Sequence, residues 1–157
     1  MLNLMCPLRL MGTTPHELMI EMEDMEGVVK RALYKQFKVS DKAEHSFEFK
    51  GFEAQPGFEV PDALAIHNEL KFATRDEDNA GKCAELTGAP GWFNGDPERC
   101  FTFNPFGVHL KSRSASAENG VVYQPFGGWK NSLKRLVMSV KIVGMFRHLI
   151  FGFETVS

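Results

Sequence analysis

Residues 13–37, "TTPHELMIEMEDMEGVVKRALYKQF", decide the fold class. Thr14 is a good helix N-cap, Pro15 suits the first helical position, and Glu17 three residues after Thr14 completes a capping box. Leu18, Met22, Met25, Val29, Ala32 and Leu33 fall at helical spacing on one face. Acidic side chains (Glu17, Glu21, Glu23, Asp24, Glu26) fill the first half and basic ones (Lys30, Arg31, Lys35, Lys38) the second, the order a helix dipole prefers. Glu26 and Lys30 form an i,i+4 pair. Gly27 interrupts the pattern at a cost of about 1 kcal/mol relative to Ala. The stretch is expected to be an amphipathic helix whose methionine-lined face packs on the core.

Downstream the period changes from helical to two. In "HSFEFKGFE", Phe47 and Phe49 alternate with Glu48 and Lys50, the pattern of a half-buried strand. "AQPGFEVPD" is turn chemistry. "DALAIHNELKFATR" fits a short helix from Asp62 or a strand near its end, and "DEDNAG" and "GAPGWFNGDPE" are loops. "RCFTFNPFG" alternates again, and "VHLKSRS" with "GVVYQPF" reads as a hairpin around Asn119-Gly120. In "QPFGGWKNS", Pro125 and Gly127-Gly128 mark a corner leading into the final element. That element, Ser132 to Ser157, fits two readings: as strands, Leu136, Met138, Val140 and Ile142 face in, Ser139 and Lys141 face out, and a bend at Gly144 precedes the return of "RHLIFGFE"; as a helix, Lys134, Lys141 and His148 share one polar stripe, and the many β-branched residues favour the strands. The expected architecture is α+β, one domain over residues 1–157. An N-terminal amphipathic helix packs on an antiparallel sheet or open β-barrel.

A length of 157 residues makes one domain the default, and 43% apolar against 24% charged residues describes a folded chain. The net charge of -2 gives no global drive toward nucleic acid. It is split, about +4 from Trp129 onward against -6 before it, which points to an acidic front meeting a basic tail within one fold. Cys6, Cys83 and Cys100 are an odd number without a C-x-x-C, the usage of free thiols in a reducing compartment; a Cys83–Cys100 disulfide would belong to a secreted protein. The N-terminal "MLNLMCPLRLMG" lacks the features of a signal peptide, and no apolar run reaches the length of a bilayer span. The chain therefore reads as soluble and cytoplasmic.

No phosphate-binding glycine loop is present. "PFGGWKNS" resembles a string near the C-terminus of aldehyde dehydrogenases, but over eight residues only, and 157 residues are too few for that fold. Asp76, Asp78 and Gly81 match three positions of a calcium loop, while Ala80 and Thr87 occupy two positions that need oxygen donors. His67 and Glu69 form H-x-E, yet no P-C-x-x-C follows to complete a zinc deaminase site. No metal and no cofactor is expected. Lys130, Lys134, Arg135 and Lys141 beside Trp129 are the right types for a nucleic-acid strand, but without a supporting motif they read as a solvated face.

The aromatics are the unusual part, 14 Phe against 2 Tyr and 2 Trp, and many sit in loops. Trp92, Phe93, Phe106, Phe126 and Trp129 either fold back to cap the core or converge into an apolar cup. The leading expectation is a non-enzymatic interaction or assembly subunit using a Phe- and Met-rich surface, with other protein chains as partners and a homo-oligomer among its forms. The alternative is an apolar small-molecule-binding β-cup, with His67 or His109 as proton-transfer group if the cup is an enzyme of isomerase, cyclase or hydrolase type.

Overall fold

The computed structural model describes residues 16–40, 45–77, 81–96, 98–110 and 119–143. The expected N-terminal helix is instead a β-hairpin, β1 (His16–Glu23) and β2 (Val29–Val39). In β1 burial alternates strictly: His16, Leu18, Ile20 and Met22 are buried, and the residues between them are half-exposed. That is a period of two, which a strand satisfies and a helix does not. The turn carries its own signal. The Asp24 carboxylate accepts from the amides of Glu26 (3.0 Å) and Val28 (2.8 Å), and Gly27 adopts φ +85°, open to glycine at little cost. The charge order that suits a helix dipole also places Glu21 opposite Arg31 across the hairpin. The α+β helix-on-sheet architecture is thus overturned. The fold is mainly β, and its helices among the described residues are short: α1 (Cys83–Thr87) and α2 (Gln124–Gly127).

The hairpin lies at the centre of a four-stranded antiparallel sheet with order β3-β2-β1-β8, where β3 is Phe47–Ala54 and β8 is Arg135–Ile142. A bulge adjusts its faces. His16 lies opposite Phe37 and Leu18 opposite Tyr34, so Lys35 and Gln36 together face Glu17. The buried row of β2 therefore shifts from Ala32 and Tyr34 to Phe37 and Val39 without a break in the core. The strand expected from 136 to 142 is present, with Leu136 and Val140 buried; the expected bend at Gly144 and the segment after it lie outside the described residues.

One face of this sheet is apolar and is covered by a layer of loops and short pairings. β4 (Phe72–Ala73) pairs with β5 (Gly91–Trp92), and β6 (Phe103–Asn104) with β7 (Val122–Tyr123). β7 was expected to pair with residues 108–114; its partner is β6, and Val108 makes an isolated bridge to Gly120. Leu64, Trp92, Phe103, Val121, Tyr123 and Leu133 from this layer join Leu18, Ile20, Met22, Tyr34 and Leu136 of the sheet in the main core. A second, smaller core gathers Ala73, Cys83, Ala84, Phe93, Cys100, Phe101 and Val122, with Trp129 packed against it. The residues of "QPFGGW" form the corner between β7 and β8, with α2 at its centre and Gly128 at φ +73°.

The opposite face carries cross-strand ion pairs. Glu21 bridges Arg31 (2.8 Å) and Arg135 (2.6 Å), Glu23 holds Lys134 (2.5 Å), Lys38 holds Glu48 (2.8 Å) and Lys35 holds Glu53 (3.1 Å). The acidic front and the basic tail meet here, inside one sheet.

Candidate functional site

Cys83 opens α1, and seventeen residues later Cys100 returns to it: the two sulfurs are bonded, with 5.5 Å between the Cα atoms. The free-thiol expectation is therefore overturned for this pair. Both half-cystines are buried at the floor of the second core, so the loop between them folds as a lobe around one covalent clamp. Thr87 closes the helix by donating its hydroxyl to the Cys83 carbonyl at 2.8 Å.

On the outer side of this clamp lies a pocket of about 190 Å³ lined by Leu86, Thr87, Glu98, Arg99, Cys100, Phe101 and Trp129. Trp129 is held as a wall because its indole N–H donates to the Phe101 carbonyl at 2.9 Å. Leu86 forms an apolar lip with 62% of its surface exposed. Glu98 and Arg99 bring one charge of each sign to the rim. The lining is mixed: Leu86, Phe101 and Trp129 supply apolar and aromatic surface, and Thr87, Glu98 and Arg99 supply polar and charged surface.

The residues singled out in the sequence divide between places. Trp129 lines the pocket, and Phe93 lies behind it in the second core, with ring centroids 6.4 Å from Phe101. Trp92 and Phe106 belong to the main core: Trp92 stacks on Phe47 with centroids 3.3 Å apart and meets Phe72 (4.6 Å) and Phe106 (6.0 Å). Its indole donates to the His45 carbonyl at 2.8 Å. Phe126 packs against the edge of the same core. Leu86 and Arg99 were not singled out in the sequence. A disulfide reading of the Cys83–Cys100 interval, with Leu86 as its large apolar residue in a polar segment, is the signal that finds them.

His67 is 2% exposed and both ring nitrogens are engaged. Nδ1–H donates to the Trp92 carbonyl at 2.5 Å, and Nε2 accepts the amides of Thr102 and Phe103, each at 3.1 Å. Burial lowers its pKa to about 4, against the opposing pull of the Trp92 carbonyl and the Asp62 charge. His109 donates from Nε2 to the Lys134 carbonyl at 2.8 Å. Neither histidine lines the pocket. Asp76 accepts the Thr74 hydroxyl at 2.7 Å, and Asp78 and Ala80 of the calcium-like pattern lie outside the described residues. A buried tyrosine pair ties the layers together. Tyr34 donates to Asp62 at 2.6 Å, while Tyr123 donates to the Pro61 carbonyl (3.0 Å) and accepts the Ala63 amide (3.2 Å). Burial raises both hydroxyls, that of Tyr123 to about 12.

Comparison with known proteins gives a consistent answer. The family model "Fibrinogen beta and gamma chains, C-terminal globular domain" matches residues 8–143. Fibrinogen-like protein 1 of Homo sapiens is 35% identical over 140 residues, covering 80% of this chain and 43% of that protein. Angiopoietin-related protein 7 of Homo sapiens is 31% identical over 131 residues, with 81% and 36% covered. The chain thus spans less than half the length of these curated relatives. Among solved structures, the fibrinogen-like globe domain of human ANGPTL2 superposes with a TM-score of 0.75 at 25% identity, covering 85% of this chain and 61% of that one. Lamprey fibrin D-dimer, solved with the peptide Gly-His-Arg-Pro-amide, gives 0.73 at 20% identity, with 93% and 51% covered. Domains of this kind are non-enzymatic and interact with proteins, which upholds the interaction reading at that level and gives the enzyme alternative no support. The relatives are secreted, so the cytoplasmic expectation is overturned, in keeping with the Cys83–Cys100 disulfide.

Proposed function

This chain belongs to the fibrinogen C-terminal globular family, and from that premise we infer that it is an extracellular recognition module that takes a peptide segment of a partner protein into the pocket beside the Cys83–Cys100 disulfide. The observation that carries the reading is the pocket itself. It is a 190 Å³ depression whose apolar lip, Leu86, is exposed while its aromatic wall, Trp129, is fixed by a hydrogen bond. Such a pocket suits one apolar side chain of a peptide, with Arg99 placed for a carboxylate and Glu98 for an amine. The lamprey fibrin fragment of the same fold was solved with a four-residue peptide, which supports a peptide as the class of ligand.

The test is selection from a displayed random-peptide library on the intact, oxidised protein, followed by titration of an enriched peptide with tryptophan fluorescence as readout. Binding is expected to weaken at least 10-fold in Leu86→Arg, a surface change that leaves the thermal unfolding curve in place. A library that enriches nothing, or a peptide bound equally by wild type and Leu86→Arg, overturns the reading. The same titration against a panel of apolar small molecules separates this reading from that of an apolar-ligand cup, which Trp129 would report equally well.

A further inference from the structure

The dipeptide Asn-Gly occurs twice, at 94–95 and 119–120, and the fold treats the two copies in opposite ways. Asn119 lies where 119–120 crosses 107–108. Its main-chain carbonyl accepts the Val108 amide at 2.7 Å, Gly120 is buried, and the Gly120 carbonyl accepts the Asn104 side-chain amide at 3.0 Å. Ser132 presses on the same glycine, where a Cβ would stand 2.9 Å from Ser132 Cβ. Asn94 lies instead on the loop from β5 to Cys100 and is exposed. Its own amide donates to the Cys100 carbonyl at 3.2 Å, and its side-chain Oδ1 accepts the Asp96 amide at 3.0 Å. That second bond folds the carboxamide back over the Gly95 peptide. Gly95 adopts φ +78° and has no Cβ to shield its nitrogen. We propose that Asn94 is a self-modifying site: in the folded, oxidised protein the Gly95 nitrogen attacks the Asn94 carboxamide and converts residue 94 to isoaspartate and aspartate.

Water is the co-reactant, and the step balances with it. The Gly95 amide gives its proton to solvent hydroxide and its nitrogen bonds to Cγ of Asn94. The Cγ–Nδ2 bond breaks, and Nδ2 takes a proton from water and leaves as ammonia. Water then opens the five-membered imide. Cleavage of the new N–Cγ bond leaves aspartate; cleavage of the bond from that nitrogen to the main-chain carbonyl carbon leaves isoaspartate, whose backbone runs through Cγ. Negative charge develops on Oδ1 during the attack, and the Asp96 N–H already donates to that atom. The folded-back carboxamide shortens the search for a reactive geometry. Asn119 carries the same chemistry without the room for it, because its carboxamide would have to swing over a glycine that Ser132 and residues 107–108 wall in. Conversion changes the lobe in two ways. Residue 94 gains a negative charge near Asp96 and Glu98. Isoaspartate also lengthens the backbone by one carbon, beside a carbonyl that packs so closely on Gly81 that a Cβ there would stand 2.5 Å from the Gly95 oxygen. The extra carbon is expected to displace residues 94–100, of which Glu98, Arg99 and Cys100 line the pocket. That a partner is held more weakly as the protein ages rests on the recognition reading above; the conversion itself does not.

Peptide mapping by mass spectrometry tests the site on the intact, oxidised chain, incubated at neutral pH and body temperature without any partner. The peptide that holds Asn94 is expected to gain one dalton and to divide on chromatography into aspartate and isoaspartate forms. Reaction at Asn94 should run at least about 10-fold faster than at Asn119, whose conversion waits on local opening of the buried crossing. The reduced chain in urea is the reference, and there the two sites should react at like rates. Asn94 left intact in the folded protein over a time in which the unfolded chain converts overturns the proposal. So do equal rates at the two sites in the folded protein, and so does a difference that persists undiminished in urea, which would be an effect of sequence and not of the fold.

Discussion

Position 107 shows how little room the loop layer leaves. A methyl group there would collide with the Gly120 carbonyl, because the chain at 107–108 lies directly on 119–120, held by the Val108 amide on the Asn119 carbonyl (2.7 Å) and the Asn104 amide group on the Gly120 carbonyl (3.0 Å). Gly107→Ala is expected to cost about 3 kcal/mol or more in urea denaturation, since backbone must move to admit it. Gly127→Ala is the control: its new Cβ would sit 3.6 Å from Asn131 Cβ, an ordinary contact, and stability should change by no more than about 0.5 kcal/mol. Trp92 tests the other extreme. Its ring fills the space between Phe47, Phe72 and Phe106, so Trp92→Ala should lose about 3–5 kcal/mol by the same measurement. That the loop aromatics matter was legible in the sequence, because loops are normally polar, but whether their rings cap the core or open as a cup was not. Which rings share a cluster was not, since that depends on pairings such as β4 with β5 that span two residues each.

At the scale of the element, the hairpin of β1 and β2 is the instructive case. Its sequence satisfies two periods at once. Leu18, Met22, Met25 and Val29 suit a helix, and Leu18, Ile20 and Met22 suit a strand. Tertiary packing decides between them, because only the strand lets Leu18, Ile20 and Met22 all reach the core. The Asp24 and Gly27 pair was the discriminating signal, as an Asx turn followed by a left-handed residue. By contrast β3 was legible, because its alternation has no helical rival, whereas β8 was open to a helix with Lys134, Lys141 and His148 on one stripe and is settled as a strand by its pairing with β1. Asp24→Ala removes the carboxylate oxygen that accepts two turn amides and should cost about 1 kcal/mol, read from thermal unfolding. On the outer face, Arg135 and Arg31 hold the Glu21 carboxyl below its ordinary range. Its contribution is therefore present above pH 4.5 and lost as pH falls through the depressed value. The group is partly solvated, so Glu21→Gln should cost no more than about 1 kcal/mol at pH 7, and 1 M salt should shrink the difference. An unchanged melting curve at low salt would mean that the three side chains are held by packing alone.

At the scale of the molecule, the described residues form two cores of unequal size joined through short strands, and the smaller one contains a covalent clamp. Reducing a disulfide that closes a loop of this size should remove roughly 3 kcal/mol, or about 6–12 °C of melting temperature for a chain of this length. The loss is expected to begin in the lobe, with Trp129 fluorescence changing at lower temperature than the far-ultraviolet signal of the sheet. The odd cysteine count hid this clamp in the sequence, because pairing is a fact of three-dimensional proximity. The sheet order has a further consequence, which concerns load. His16 and Ile142 face each other at the same end of neighbouring antiparallel strands. Tension applied through the segments that flank them pulls β1 and β8 apart from that end and stresses one rung at a time, as a zipper opens, instead of shearing all rungs together. Stretched between its two flanks in an optical trap, the domain should therefore yield at low force and open from the β1–β8 seam, leaving the β1–β2–β3 meander and the disulfide lobe to unravel afterwards.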